Sequence, residues 1–198
     1  MAERKQKNNF NIQKLAFGGI LTALVVVLQM LGSFVKFGPF SISLVLIPIV
    51  LGAALCDYKI STWLGFVFGV VVLLSGDAAA FLTINVPGTI VTVLLKGTLC
   101  GLAAGLVYKA LAKKNRYLAV VVSALACPIV NTGVFLLGCV VFFLDTIRAW
   151  GAADGFTNVA QYLIVGMVGL NFLVELSVNI FLSPIVVRLL DFSKKINK

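Results

Sequence analysis

Pro87-Gly-Thr-Ile-Val-Thr-Val-Leu-Leu-Lys96-Gly97-Thr-Leu-Cys-Gly101-Leu-Ala-Ala-Gly105-Leu-Val-Tyr-Lys109 runs without an acidic residue into the basic cluster Lys113, Lys114 and Arg116. A helix crossing a bilayer needs about 20 mainly apolar residues, and this stretch supplies them. Gly97, Gly101 and Gly105 recur every fourth residue, a spacing that lets helix backbones approach closely within lipid. One lysine interrupts the apolar run at its middle. A charge at that depth costs about 2.5–3.5 kcal/mol on insertion scales, and such residues commonly mark a ligand or ion site.

The rest of the chain repeats the pattern. It has 198 residues, 61% of them apolar and 12% charged, against about 25% charged in soluble domains. Mean hydropathy is +1.09. Apolar blocks predict six membrane helices in one all-α membrane domain spanning 1–198, near residues 12–33, 42–56, 60–75, 87–112, 117–144 and 160–190. The first block is too long for a signal-peptide core and lacks a cleavage site after it, so it reads as a retained helix.

Charge sets the expected orientation. With an even helix count, Arg4, Lys5, Lys7, Lys14, Lys59, Lys109, Lys113, Lys114, Arg116, Arg188, Lys194, Lys195 and Lys198 share one face with both termini. Lys36 and Arg148 alone fall opposite. Lys and Arg mark cytoplasmic loops, which predicts cytoplasmic termini. The same distribution argues against nucleic acid as the reason for the net charge of +9, because no basic surface is interleaved with exposed aromatics.

Missing residues exclude chemistries. The chain has no histidine, which removes His-based zinc sites and His general bases. It has no phosphate-binding G-x-x-x-x-G-K-[ST] loop, no G-x-S-x-G, and no acidic cluster for catalytic Mg²⁺. Cys56, Cys100, Cys127 and Cys139 read as small core residues. We expect no enzyme, and no cofactor or metal held by the chain itself.

Other polar residues accompany Lys96 inside the apolar blocks. Asn171, Glu175 and Asn179 fall at i, i+4 and i+8, one stripe on a helix. Asn131 follows the kink-permitting Pro128, and Gln29 lies toward the outer end of the first helix. These groups suit either a Lys96–Glu175 ion pair with amide cross-links between helices, or the wall of a polar solute cavity. The outer loops contribute Phe34, Phe37, Phe81 and Asn85, a mixture that fits interfacial anchoring or a lid over a pocket.

Several stretches together resemble the substrate-binding S components of energy-coupling factor (ECF) transporters. They are Gly18-Gly-Ile-Leu-Thr-Ala23, Pro48-Ile-Val-Leu-Gly52 leading to Gly65-Phe-Val-Phe-Gly69, the Lys96–Lys109 run with its basic loop, and Pro128-Ile-Val-Asn-Thr-Gly-Val-Phe-Leu-Leu-Gly138. The resemblance covers nearly the whole chain in order and spacing.

That resemblance implies a subunit of a bacterial cell membrane importer that binds a vitamin or similar micronutrient in its outer half. It implies a transmembrane coupling subunit and two ATPase subunits as partners, ATP being used by those partners. Gly19 and Ala23 match the small-x-x-x-small element through which helix one docks. The resemblance implies a site among the outer loops and helices four to six, and the polar and aromatic residues of this chain make Lys96, Asn131, Asn171, Glu175, Gln29, Phe34, Phe37, Phe81 and Asn85 the expected substrate contacts, with Lys96 suited to a ligand carboxylate. The Asn-Thr-Gly at 131–133 resembles S components grouped with pantothenate uptake, and riboflavin or another vitamin stays open. An autonomous secondary transporter or channel for a small polar solute is the alternative, although no internal repeat supports it. A scaffold using the polar stripe as helix glue is a third reading.

Overall fold

The computed structural model describes residues 2–34, 36–37, 40–41 and 44–196, with side chains described over 12–34, 44–169 and 171–188. Among the described residues the regular structure is helical apart from one short ladder. Its long helices are α1 (Ala2–Gly32), α5 (Val86–Leu111), α6 (Arg116–Phe142) and α9 (Leu170–Ile196). Between α1 and α5 lie β1 (Lys36–Phe37), β2 (Phe40–Ser41), α2 (Leu46–Leu55), α3 (Tyr58–Leu74) and the single turn α4 (Ala79–Leu82). Between α6 and α9 lie α7 (Leu144–Ala153), the turn α8 (Val159–Gln161) and a π-helical segment, Tyr162–Gly169.

The segments Ile12–Gly32, Val86–Leu111, Arg116–Phe142 and Asn171–Arg188 are each long and apolar enough to cross a membrane. Leu46–Leu55 and Tyr58–Leu74 are shorter apolar helices. Large apolar side chains point outward from the long helices, among them Leu15, Leu137, Val141 and Phe181. In water such surfaces would associate; in lipid they match the solvent.

The connections expected on the outer side are more structured than loops. The first is a ladder pairing Lys36 with Ser41 and Phe37 with Phe40. The connection expected over 75–87 contains α4, and the one expected from Asp145 to Asn158 is mostly the helix α7. The expected helix over 160–190 is divided, opening with the π-helical turns before α9. Short polar side chains start the helices: Asp57, Asn85 and Asn115 cap α3, α5 and α6 by accepting from backbone N–H groups of the first turn.

α3 and α5 pack through the glycines. A methyl group at Gly65 would collide with the Gly97 carbonyl oxygen, one at Gly97 with the Gly65 carbonyl, and one at Gly101 with the Ser61 carbonyl. A Cβ at Gly105 would stand 2.5 Å from Tyr58 Cα, and one at Gly69 would stand 2.9 Å from the Val93 oxygen. The paired numbers run in opposite directions, so the two helices are antiparallel. Ser61 locks the crossing, its Oγ bridging the carbonyl oxygens of Ile49 at 3.0 Å and Gly101 at 2.8 Å. α6 lies on the other side of α5, with Thr92 against Gly138 and Phe142 against Gly88.

The two ends of the bundle differ. At one end Lys14 pairs with Asp57 at 3.5 Å and Lys109 lies over the Tyr58 ring at 4.9 Å. The α5–α6 junction, with Lys113, Lys114 and Arg116, lies at this end too, one turn or so beyond Lys109. Burial pushes the Asp57 carboxyl up, but the Ile60 amide, the Lys14 charge and the Lys59 amide outweigh it and hold the carboxyl below its ordinary value. The neighbouring Cys56 thiol is pushed up to about 11 by burial and then by the Asp57 charge, so it stays a thiol at neutral pH. The opposite end, where α1, α3 and α6 finish and α5 begins, holds the cavity.

Candidate solute-binding cavity

Side chains from six parts of the chain, polar ones from five of them, line one cavity at that end. Gln29 enters from α1, Asp77 from the turn after α3, and Phe81 from α4. Thr89, Thr92 and Lys96 enter from α5, Asn131, Thr132 and Phe135 from α6, and Met167, Asn171 and Glu175 from the final helical run. The empty space, open mouth included, is about 770 Å³. The π-helical turns widen the spacing just where Met167 and Val168 reach the lining, as π segments often do at functional sites.

Two amide–carboxylate pairs organise the lining. Gln29 Nε2 donates to Asp77 Oδ2, tying the end of α1 to the turn after α3. Asn171 Nδ2 donates to Glu175 Oε1 at 3.4 Å. Below it, Asn179 Nδ2 donates to the Glu175 carbonyl oxygen at 2.8 Å, and Ser183 Oγ to that of Asn179 at 2.7 Å. Asn171, Glu175 and Asn179 therefore share one face of α9, the upper two at the cavity and the third beneath it.

Among the described residues, the amide oxygens that these pairs leave over are buried without a hydrogen-bond partner. Gln29 Oε1, Asn131 Oδ1, Asn171 Oδ1 and Thr92 Oγ1 all have this property, and all four residues line the cavity. Gln29 is 1% exposed and Asn131 5%. A buried polar atom left unsatisfied costs about 1–3 kcal/mol, so these oxygens mark places in the cavity where a donor from water or from a solute is accepted.

Lys96 is not held in an ion pair with Glu175: among the described residues no carboxylate lies within ion-pair distance of its ammonium. The ammonium instead stands over two rings, 5.5 Å from the Phe68 centroid and 5.4 Å from the Phe135 centroid. Cation–π contacts contribute about 0.5–2 kcal/mol each, enough to steady the chain without neutralising it. The charges of Glu175 and Asp77 act on it from farther off.

An aromatic cluster packs over the cavity at the end away from Lys14. Phe81 meets Phe135, Phe143 and Trp150 edge-on, with centroids 5.7, 5.0 and 5.7 Å away. Ile147 of α7 is buried beneath it. The turn α4 and the helix α7 thus form a packed apolar cover.

Six of the expected residues meet here: Gln29, Phe81, Lys96, Asn131, Asn171 and Glu175. Two do not. Phe34 is 83% exposed, and the Asn85 side chain accepts from the Gly88 amide at 2.9 Å as the cap of α5. The Phe37 side chain lies outside the described residues. Sequence reasoning missed Asp77, Thr89, Thr92 and Met167. Asp77 carried a signal, as an acidic residue in an otherwise apolar outer connection; the threonines read as ordinary filler of a membrane helix.

Residues 13–187 match the family model described as ECF transporter, substrate-specific component. The chain belongs to that family. Neither the curated proteins nor the solved structures include a match. An ECF substrate-specific component is a transport subunit that takes a small-molecule substrate and works with an ECF module. On this substrate-specific component, α1 keeps an open face: Gly19 and Ala23 are exposed, and a Cβ at Gly19 would meet nothing within 4 Å. One helical position earlier, Gly18 packs on Ile60, so α1 has an inner side on α3 and a free side with small residues.

Proposed function

We propose that this substrate-specific component crosses the bacterial cell membrane six times with both termini in the cytoplasm, captures a small vitamin-like solute from outside, and passes it inward with partner subunits. The observation that carries the reading is a buried set of oxygens without hydrogen-bond partners among the described residues, beside an ammonium that no described carboxylate pairs with, all facing one cavity. Its placement supports the direction of capture. The cavity lies toward the end away from Lys14, Lys59, Lys109 and Lys113, and basic loops mark the cytoplasmic face.

Lys96 is the group that takes an acidic or carbonyl oxygen of the solute. Burial raises the worth of such a contact, because little water competes for the ammonium. Pantothenate, with one carboxylate, is the first substrate to test, and riboflavin the second. The exposed Gly19 and Ala23 face of α1 is the docking surface for a transmembrane coupling subunit that carries two ATPase subunits.

Uptake measurements test the assignment. Cells producing the chain together with an ECF module should accumulate labelled pantothenate or riboflavin, and cells producing the chain alone should not. Equal uptake without the module would contradict the coupled reading and favour an autonomous carrier.

A further inference from the structure

Resting on the assignment of the cavity as the solute site, we infer that it selects its solute by hydrogen-bond donors, and takes molecules that set N–H or O–H groups beside an acceptor oxygen. An amide could turn either its oxygen or its nitrogen toward a ligand. Here the choice is made at two positions. Asp77 accepts from Gln29 Nε2 and Glu175 accepts from Asn171 Nδ2, so each carboxylate holds the NH₂ group and turns the amide oxygen away from itself. A carboxylate in its charged form cannot donate, so a flipped amide would set oxygen against oxygen. Gln29 Oε1 and Asn171 Oδ1 are left as buried acceptors, and Asn131 Oδ1 joins them from α6.

The set asks for donors at three places and for an acceptor at one, where Lys96 stands. A fully esterified, quaternised or alkylated molecule leaves the three oxygens unpaired, which is a larger loss than a mere absence of attraction. A carboxamide, ureido, imide or hydroxy-acid group meets the pattern, because its oxygen faces Lys96 while an adjacent N–H or O–H faces Asn131 or Asn171. Asp77 and Glu175 are positioning residues in this account, since they act through the amides they orient. Phe81, Phe135 and Met167 supply the apolar wall for the rest of the molecule.

Matched probes test this on the purified full chain by isothermal titration. Riboflavin is compared with its 3-methyl, tetra-O-methyl derivative and pantothenate with its N-methyl, di-O-methyl derivative, neither of which keeps an N–H or O–H donor. The parent that binds should lose at least 100-fold on methylation. In Asn131→Leu the parent should weaken while the methylated probe does not, so the ratio between them shrinks at least tenfold; Gln29→Leu repeats the comparison should the first variant fail to fold. A methylated probe binding within threefold of its parent overturns the donor rule and leaves the solute-site assignment standing. If neither parent binds and no small molecule co-purifies, the assignment itself fails and the donor rule with it. A co-purifying molecule without N–H or O–H groups overturns the donor rule alone.

Discussion

Lys96 is where charge, geometry and function meet most closely. Its ammonium lies between the Phe68 and Phe135 rings and outside ion-pair reach of Glu175, so it is held in place yet able to take a ligand oxygen. Lys96→Met should weaken solute binding by at least ~2 kcal/mol, roughly 30-fold, the scale for losing a buried charged partner. Titration of the folded variant checks this, and unchanged affinity would make Lys96 structural. The polar residues of the cavity were largely readable from the chain, because Lys, Glu and Asn inside apolar runs stand out by cost alone. What residue type cannot convey is the partner. The charges of Lys96 and Glu175 suggest an ion pair, but side-chain reach and the aromatic rings of α3 and α6 decide otherwise. Asn85 looked equally polar, yet Asn immediately before Val-Pro-Gly is a helix-start signal, and its side chain serves the α5 backbone.

Among the elements, the α3–α5 crossing is the stiffest part of the frame, since backbone meets backbone with no side chain to yield. Gly97→Ala should destabilise the protein by about 1–3 kcal/mol or block folding, as overpacking does. Gly133→Ala is the control, because a methyl there meets nothing within 4 Å and alanine favours helix. Thermal unfolding in detergent separates the two. The α2–α3 junction gives a pH prediction. Asp57, held below its ordinary value, stabilises the folded chain at neutral pH, and this contribution is lost as pH falls through the lowered folded value. The carboxyl is partly exposed, which limits the effect to below ~1 kcal/mol. Asp57→Asn keeps the cap and loses the charge, so the gap in unfolding temperature to wild type should narrow between pH 7 and pH 3. The glycine spacing made this crossing visible in the sequence. The single turn α4 is too short for periodicity to register, whereas the ten residues of α7 do carry an amphipathic pattern that is easily overlooked between two long apolar blocks.

At the level of the whole molecule, one end of the bundle is basic and the other holds the cavity, while the lipid-facing surface is apolar. This arrangement predicts that a reporter fused after Lys114 is active only inside the cell and one fused after Gly155 only outside. A reversed pattern would contradict the proposed direction of capture. Gly19→Leu and Ala23→Leu should leave solute affinity within twofold yet reduce co-purification of the coupling subunit, because both positions face outward from α1, away from the cavity. Loss of both properties together would indicate misfolding. The separation of ends was readable from the lysines and arginines, whereas the turn bringing Asp77 to Gln29 depends on how α1 and α3 pack side by side. The central claim is that the cavity holds a small solute by these polar groups. Native mass spectrometry of the purified chain tests it most directly. The account predicts one small molecule per chain on the wild type, and its loss from folded Lys96→Met and Asn131→Leu. A wild type that carries no small molecule and gains none on incubation with pantothenate or riboflavin, or an adduct that both variants retain undiminished, would contradict it.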